Sequence, residues 1–304
     1  MRRRVGACRS NSLFECDDTN AKLVVAGAAL TSGRAPCAGR NLISEDGVST
    51  SLYAWDNGMI AGQRRLELLE EILDAATSRR FETIGVRQGW KCLEIGAGGG
   101  SVCDMLCRRV GPSGHVTAID IDTRFVRRLR HSNLEVREES VLDVDLPVAA
   151  FDLVHTRFTL CHIAEREALL EKLIPTLKPG GTLFLEEPDG HSIETLDDTE
   201  WHHLTMRVFN IIERRGSDIL WARGLPARVA SLGMRNVRAE VDLPYFQGGS
   251  NHAEFWKMTW GKVRDSLTGV DIDVDQWNRE LAVLDDRSRM FPGLMNVTVI
   301  AAKP

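Results

Sequence analysis

The amino-acid sequence predicts an α/β fold in which a mainly parallel sheet carries helices on both faces. Short apolar runs rich in β-branched residues alternate with segments of helical spacing between residues 59 and 189. This alternation is typical of parallel sheets, because each return to the same sheet edge needs a crossover, usually a helix. With 43% hydrophobic residues among 304, the chain has material for one decorated domain or two small ones.

The elements around the glycine cluster are the clearest. Residues 59–77 have apolar spacing near 3.6 and predict a helix, on which the following residues would form the solvent face: Arg64, Arg65, Glu67, Glu70 and Glu71. "KCLEIG" predicts a short buried strand, and "GSVCDMLCRRV" predicts a helix that begins at the glycines. "HVTAIDI" predicts a second strand, followed by a helix over 122–130 with Asp122 at its N-cap.

The remaining elements continue this alternation and then become less regular. "LEVREES", "FDLVHTRF" and "TLFLEE" predict three more strands, with a helix in "EREALLEKLIPTLK" between the last two. In the second half we expect helices within 190–222 and 252–290, and a short helix in "LPARVASLGM". "RNVRAEVDLPYF" and the terminal "LMNVTVIAAKP" predict strands.

Composition limits the partners and the compartment. The net charge of −5 and a pI near 5.9 argue against a nucleic-acid or anionic-membrane partner. No apolar run approaches the roughly 20 residues of a membrane span. The seven cysteines are odd in number and four lie in apolar stretches, which favours reduced thiols and a cytoplasmic location. Residues 1–45 are expected to form a poorly ordered extension.

The glycine cluster of "CLEIGAGGGS" is the clearest functional signal. A strand, a glycine turn and a helix form a cradle whose backbone N–H groups can approach a ligand closely. Asp120 ends the next strand, where an acid can hold the two hydroxyls of a ribose. Together these features predict a cofactor that contains adenosine.

The carboxylate of Glu94 distinguishes between two such cofactors. The dinucleotide fingerprint GxGxxG lacks its last glycine, because Ser101 stands there, and Glu94 would repel a pyrophosphate. S-adenosylmethionine (SAM) carries an ammonium and a sulfonium, and Glu94 can accept from the ammonium directly or through water. A nicotinamide-dependent oxidoreductase is therefore the less favoured hypothesis.

The motifs around these residues resemble those of a known protein family. "LEIGAGGGS" resembles the acid-x-G-x-G-x-G signature of class I SAM-dependent methyltransferases, and "VTAIDID", "FDLVH" and "LKPGGTLFLEE" follow in the family's order. "YAWDN", "GVRQGWKCLEIGAGGGS", "FDLVHTR" and "PGGTLFLEEPD" resemble actinobacterial small-molecule methyltransferases, some of them natural-product tailoring enzymes. The resemblance implies a Rossmann-like seven-stranded sheet with an antiparallel last strand. The domain would span 46–304, with helical insertions at about 190–222 and 252–290 forming a cap over the substrate.

The resemblance also implies cofactor contacts. Around the methionyl part it places Glu94, Gly96, Gly98 and Gly100. Asp120 would bind the ribose hydroxyls and Ile121 would lie against the adenine. Ser140 matches a position that is often an acid accepting from the adenine amino group, and Val141 would donate its backbone N–H. Arg157 would lie near the methyl donor, although a salt bridge of purely structural importance is an equally good interpretation.

Candidate catalytic and substrate residues follow the fourth and fifth strands or lie among the aromatic residues. His162 and His191 are candidate bases or substrate ligands, and Glu187 could line the pocket. His155 is interpreted as a satisfied core histidine, since strand alternation buries it. The candidate substrate contacts are Tyr53, Trp55, Trp201 and Trp256. No metal is expected, because adjacent His202 and His203 on a helix would point about 100° apart.

We therefore expect a methyltransferase that converts SAM to S-adenosylhomocysteine while methylating an O, N or C nucleophile of a small organic molecule, such as a secondary metabolite. A repurposed SAM-binding protein with another chemistry stays open. A nucleic-acid methyltransferase is disfavoured because "HTRF" stands where base-methylating relatives often carry an Asn-Pro-Pro-Tyr-like tetrapeptide. Helices rich in tryptophan would also suit a homodimer interface.

Overall fold

The structure, a computed structural model, describes residues 59–196, 199–267 and 273–304. The predicted extension 1–45 and the candidate substrate residues Tyr53 and Trp55 lie outside the described residues. The strands are β1 (Lys91–Ile95), β2 (His115–Asp120), β3 (Leu134–Glu138), β4 (Phe151–Arg157), β5 (Leu177–Asp189), β6 (Arg235–Asp242), β7 (Tyr245–Gln247), β8 (Met290–Pro292) and β9 (Met295–Ala302). The helices are α1 (Met59–Ile84), α2 (Ser101–Val110), α3 (Arg166–Leu173), α4 (His191–Glu194), α5 (Glu200–Glu213), α6 (Leu225–Ser231), α7 (Asn251–Asp265) and α8 (Val274–Ala282).

Seven strands form one sheet in the order β3-β2-β1-β4-β5-β9-β6. β1 to β5 pair in parallel, and β9 runs antiparallel to both β5 and β6. This arrangement confirms the predicted Rossmann-like sheet with an antiparallel last strand. Because β1 and β4 are neighbours although β2 and β3 come between them in sequence, the strand order reverses there, where ligands bind in open α/β sheets.

The segment after β2 departs from the prediction. The expected helix over 122–130 is wrong, since the chain forms only a single 3₁₀ turn at Val126–Arg128. The carboxylate of Asp122 accepts from the backbone N and the guanidinium of Arg124 (2.8 Å to Nε). Such local bonds between side chain and backbone compete with helix formation, so Asp122 holds a turn and not a helix N-cap.

The strand predicted over "RNVRAEVDLPYF" is interrupted at Pro244, which has no N–H to donate to a sheet ladder. β6 ends at Asp242, and β7 pairs instead with β8 in a separate antiparallel two-stranded sheet. The sequence did not predict this small sheet. It lies between α6 and β9, where one strand followed by helices was expected.

The second half of the chain has its own apolar core. α5, α7, α8 and the β7-β8 sheet pack around buried Trp201, Trp256, Trp260 and Trp277. The tryptophans that suggested a dimer surface are therefore covered within the chain, and a homodimer stays a prediction. No helix among the described residues has the length and hydropathy to cross a membrane.

Candidate active site

A cavity of about 430 Å³, called the main cavity here, lies at the carboxyl ends of the parallel strands. Its walls are the loops that follow β1, β2, β3 and β4, together with residues of α1 and α7. This is the sheet edge at which ligands of open α/β folds bind. Ten of the predicted site residues line it: Glu94, Gly96, Gly98, Asp120, Ile121, Ser140, Val141, Arg157, His162 and Trp256.

The glycine loop needs glycine for different reasons at different positions. A side chain at Gly96 would collide with the side chain of Thr159, so the loops after β1 and β4 approach closely only because Gly96 has no Cβ. Gly98 has φ of 52° and lines the cavity, where a Cβ would make ordinary contacts with Leu66 at 3.6 Å and with the carbonyl oxygen of Gly96 at 4.0 Å. Gly100 does not line the cavity, and a Cβ there would crowd Leu129 at 3.1 Å and Val126 at 3.3 Å.

Asp120 lies at the end of β2 with its carboxylate between two backbone donors. Its two oxygens accept from the N–H groups of Gly98 and Asp122, both at 2.9 Å. Burial raises the pKa of Asp120, and these two N–H groups oppose that effect. The bonds fix the carboxylate at the cavity wall, beside the half-exposed side chain of Ile121.

Glu94 is almost fully buried at the inner end of the cavity. Its Oε2 lies 2.6 Å from Nδ1 of His155. His155 is completely buried, and its Nε2 lies 3.2 Å from Oε2 of Glu186. His155 is therefore a satisfied core histidine, as its position in the strand predicted. Burial raises the pKa of Glu94, and the adjacent His155 and then Arg157 act against that rise.

Arg157 joins three elements at the cavity wall. Its guanidinium donates to Asp74 (2.9 Å) and Thr77 (3.1 Å) of α1, and to the hydroxyl of Ser101 (3.1 Å) at the start of α2. Both the structural and the ligand-binding interpretations of Arg157 fit this placement, because the residue lines the cavity while making these bonds.

His162 lines the cavity from the loop after β4. Burial, together with the nearby charges of Arg65 and Arg166, lowers its pKa to about 3. The imidazole is therefore neutral at physiological pH. It can donate or accept a hydrogen bond, but it is a weaker base than an ordinary histidine.

Four predicted site residues lie outside the cavity lining, namely Gly100, Glu187, His191 and Trp201. Glu187 is buried and accepts from the backbone N–H groups of Leu160 and Cys161, both at 3.0 Å. It thus shapes the loop that carries His162. His191 is exposed beside Glu194, and Trp201 is buried with its Nε1 donating to the carbonyl of Pro292.

Residues of α1, and residues of α7 other than Trp256, were not among the predicted site residues. The predicted solvent face of α1 is wrong at Arg65 and Glu70, because Arg65 is buried and both residues line the cavity. Glu70 accepts from the backbone N–H of Ser101 (3.1 Å), and burial raises its pKa. The sequence did contain a signal for this contact. Gly100 at the N-cap of α2 has no side chain that could accept from the free N–H groups of the helix N-terminus, so another residue had to do so.

On α7, three side chains lining the cavity have buried polar atoms without a hydrogen-bond partner in the described part of the chain. They are Nε1 of Trp256, Oγ1 of Thr259 and Nε1 of Trp260. Their spacing of three and four residues places them on one face of the helix. Buried polar groups in proteins are nearly always paired, so an unpaired group at a cavity calls for a ligand or water.

A protein-family model described as "Methyltransferase domain" matches residues 60–225, which is more than half of the chain. Methyltransferase str3 of Strobilurus tenacellus is 34% identical over 120 residues, covering 39% of this chain and 43% of that protein. The ubiquinone/menaquinone biosynthesis C-methyltransferase UbiE of Bordetella parapertussis is 33% identical over 135 residues, covering 40% and 52%. The chain thus spans about half the length of the curated relatives it matches.

Solved structures share the fold at low identity. A phosphoethanolamine N-methyltransferase 2 from Haemonchus contortus, solved with phosphomonomethylethanolamine and S-adenosylhomocysteine, superposes with a TM-score of 0.54 at 14% identity, covering 84% of this chain and 61% of that one. A cyclopropane-fatty-acyl-phospholipid synthase-like protein from Lactobacillus casei superposes with a TM-score of 0.52 at 18% identity, covering 82% and 97%.

Proposed function

The chain belongs to the SAM-dependent methyltransferase family, and on this premise we propose that it methylates an O, N or C nucleophile of a small organic molecule. The single observation that supports this best is the cavity in which Glu94, Asp120 and the glycine loop meet. When bound, SAM supplies a methyl group already activated on a sulfonium. The protein's task is therefore mainly to bind, orient and exclude water.

The residues at the cavity wall fit this cofactor. No described residue donates a hydrogen bond to Oε1 of Glu94, so one carboxylate oxygen remains for an ammonium. Asp120 would hold the ribose hydroxyls, with Ile121 against the adenine. Ser140 and Val141 would meet the adenine edge. Gly98 lets the main chain come close to the methionyl part, because it presents no side chain to the cavity.

The opposite wall suits a flat apolar acceptor with oxygen atoms. Phe255, Trp256 and Trp260 provide aromatic surface, and the unpaired indole N–H groups together with the Thr259 hydroxyl can serve a carbonyl or phenolic oxygen. Among the described residues Trp277 also has an unpaired Nε1, but it does not line the cavity. Ring-shaped acceptors agree with the name of the quinone C-methyltransferase relatives.

His162 would orient the acceptor and would not act as a strong base. A neutral imidazole whose pKa is lowered to about 3 can hold the acceptor's hydroxyl or amine by a hydrogen bond. Acceptors that need little deprotonation, such as amines, acidic phenols or activated ring carbons, are then favoured.

The likeness of "FDLVHTR" and "PGGTLFLEEPD" to natural-product enzymes extends the proposal to a secondary metabolite. The four cysteines that the structure describes are buried free thiols, which suits a reducing cytoplasm.

The experiment is methyl transfer from radiolabelled SAM to a panel of phenols, quinols, aromatic acids and aryl amines, with S-adenosylhomocysteine release measured in parallel. We expect label in at least one acceptor class, and loss of the label with Asp120→Ala. SAM binding without transfer to any class, or conversion of SAM to another product, would instead support a repurposed SAM-binding protein.

A further inference from the structure

A chain of buried ionisable groups runs behind the cavity, across three neighbouring strands. Glu94 of β1, His155 of β4 and Glu186 of β5 are each no more than 1% exposed. Nδ1 of His155 lies 2.6 Å from Glu94, and its Nε2 lies 3.2 Å from Glu186. Only Glu94 of these three lines the cavity, so His155 and Glu186 can influence the site through Glu94.

The far end of this chain is anchored to α1. Glu186 accepts from Thr77 (2.6 Å) and from the guanidinium of Arg80 (3.1 Å), and Arg80 also pairs with Glu240 and Asp242 of β6. His155 therefore has a fixed carboxylate on one side and the cavity-lining carboxylate on the other. The rings of Phe81 and Phe184 pack against its imidazole at steep interplanar angles, and His155 is completely buried from water.

We infer that His155, held by Glu186, is a positioning residue that keeps Glu94 ionised and fixes its carboxylate to receive the cationic end of the methyl donor. This inference rests on the proposed function. Glu94 uses Oε2 for His155, which leaves Oε1 for the ligand. Glu186 is bonded to both His155 and Arg80, but Arg80 is shared with Glu240 and Asp242. Among the described residues, a protonated His155 is therefore the cation bonded directly to Glu94.

Burial alone would neutralise Glu94. Desolvation raises its pKa, and the charge of His155 is the largest opposing influence. Burial would likewise neutralise His155, but Glu94 and Glu186 outweigh it and raise its pKa to about 9. The ionisable groups that face Glu94 from the surrounding elements are Cys103 on α2, His155 and Arg157 on β4, and Glu186 on β5. His155 is the member of this set whose removal leaves Glu94 without a bonded cation.

A purely structural account explains the arrangement less well. Buried ion pairs seldom stabilise a fold more than apolar residues of the same size, because desolvation offsets their attraction. Here the network ends at a cavity wall, and none of the described residues donates to the second carboxylate oxygen of Glu94. That placement is expected if the network serves a cationic ligand.

The test is calorimetric binding of SAM to the full chain between pH 5.5 and 7.5, comparing wild type with His155→Asn, whose amide can still donate to Glu94 but has no charge. Wild-type affinity should be flat with pH. His155→Asn should bind about tenfold or more weakly at pH 5.5 and recover as pH rises, because each pH unit below the pKa of Glu94 reduces its ionised fraction about tenfold.

Two controls separate positioning from general damage. Glu94→Gln should bind SAM weakly and without this pH dependence, and adding His155→Asn to Glu94→Gln should change the affinity little further. Unchanged affinity in His155→Asn, or a loss that is independent of pH and equal in both backgrounds, would overturn the inference. If wild type itself does not bind SAM, the proposed function fails instead.

Should His155→Asn fail to fold, Glu186→Gln provides the second arm. It keeps the shape and an acceptor for His155 but removes the negative charge that stabilises the imidazolium. Glu186 also raises the pKa of Glu94 through its own charge, so its removal partly offsets the loss of the imidazolium, and we expect a smaller loss of SAM affinity at pH 5.5 than with His155→Asn. A folded Glu186→Gln variant that binds SAM as wild type does at pH 5.5 would overturn the inference.

Discussion

The carboxylate of Asp120 is held at the cavity wall by two backbone N–H groups, which leaves it oriented before any ligand arrives. Asp120→Ala should therefore weaken SAM binding about tenfold to a hundredfold, the range expected when charge-assisted hydrogen bonds to two hydroxyls are lost. Calorimetry at pH 7.5 measures this. Asp122→Ala is the matched control, since it removes a neighbouring acid while its backbone N–H to Asp120 stays. Equal affinity of Asp120→Ala and wild type would refute the ribose role.

The second prediction for a single residue concerns His162. His162→Ala should lower kcat/KM for the acceptor about tenfold and leave SAM affinity within about twofold, because one orienting hydrogen bond is lost. With a pKa near 3, His162 should add no inflection to the wild-type pH-rate profile between pH 5 and 8. Full turnover in His162→Ala would remove it from the site. An inflection near pH 6.5 that disappears in His162→Ala would show that it works as an ordinary base.

The positions of the site residues along the strands explain which of them could be predicted from the sequence. Glu94, Asp120, Ser140 and Arg157 end or follow parallel strands, and the carboxyl ends of such strands meet at one sheet edge. Glu70 and Arg65 were misassigned to the solvent. Helical spacing shows which residues share a face of α1, but it does not show whether that face meets water or a cavity.

At the scale of elements, strands were predicted better than their irregular neighbours. Most of the sheet strands show apolar, β-branched or alternating runs, and these local patterns need no knowledge of distant residues. The helix expected over 122–130 failed because Asp122 bonds to its own neighbourhood. The β7-β8 pairing joins segments more than 40 residues apart, so no local pattern specifies it.

A further prediction concerns α7, where buried polar atoms of Trp256, Thr259 and Trp260 have no hydrogen-bond partner among the described residues. Trp260→Phe and Thr259→Val should each raise the acceptor KM about fivefold or more, while SAM affinity stays unchanged, because they remove donors proposed to serve the acceptor. Steady-state kinetics with the acceptor found in the transfer assay measure this.

Trp277→Phe is the control for the α7 variants. Trp277 is buried in the same apolar core and also has an unpaired Nε1, but it lies away from the cavity. Its variant should alter stability and not the acceptor KM. An equal rise in KM for Trp277→Phe and Trp260→Phe would mean that the effect comes from loosened packing of the core.

For the whole molecule, the buried histidine makes stability depend on pH. The pKa of His155 is raised from 6.5 to about 9 in the folded chain, so its contribution is fully present below pH 6.5 and is lost as pH rises toward 9. The free energy of unfolding should fall on the order of 2 kcal/mol between pH 6.5 and 8.5. Guanidinium titrations at both pH values measure this.

His155→Asn should remove that slope while lowering stability at pH 6.5. The comparison ends at pH 8.5 because burial also raises the pKa of the Cys92 and Cys107 thiols. At higher pH these thiols would lower the free energy of unfolding as well. A slope that persists unchanged in His155→Asn would show that His155 is not protonated in the folded protein near neutral pH.

The central claim, that an acidic and glycine-lined cleft accepts a cationic adenosine cofactor, is tested most directly by calorimetric titration of the full chain with SAM and, separately, with NADH and NADPH. We expect saturable one-to-one binding of SAM and no heat of binding from either nicotinamide nucleotide at the same concentrations. Saturable binding of a nicotinamide nucleotide without binding of SAM would contradict it.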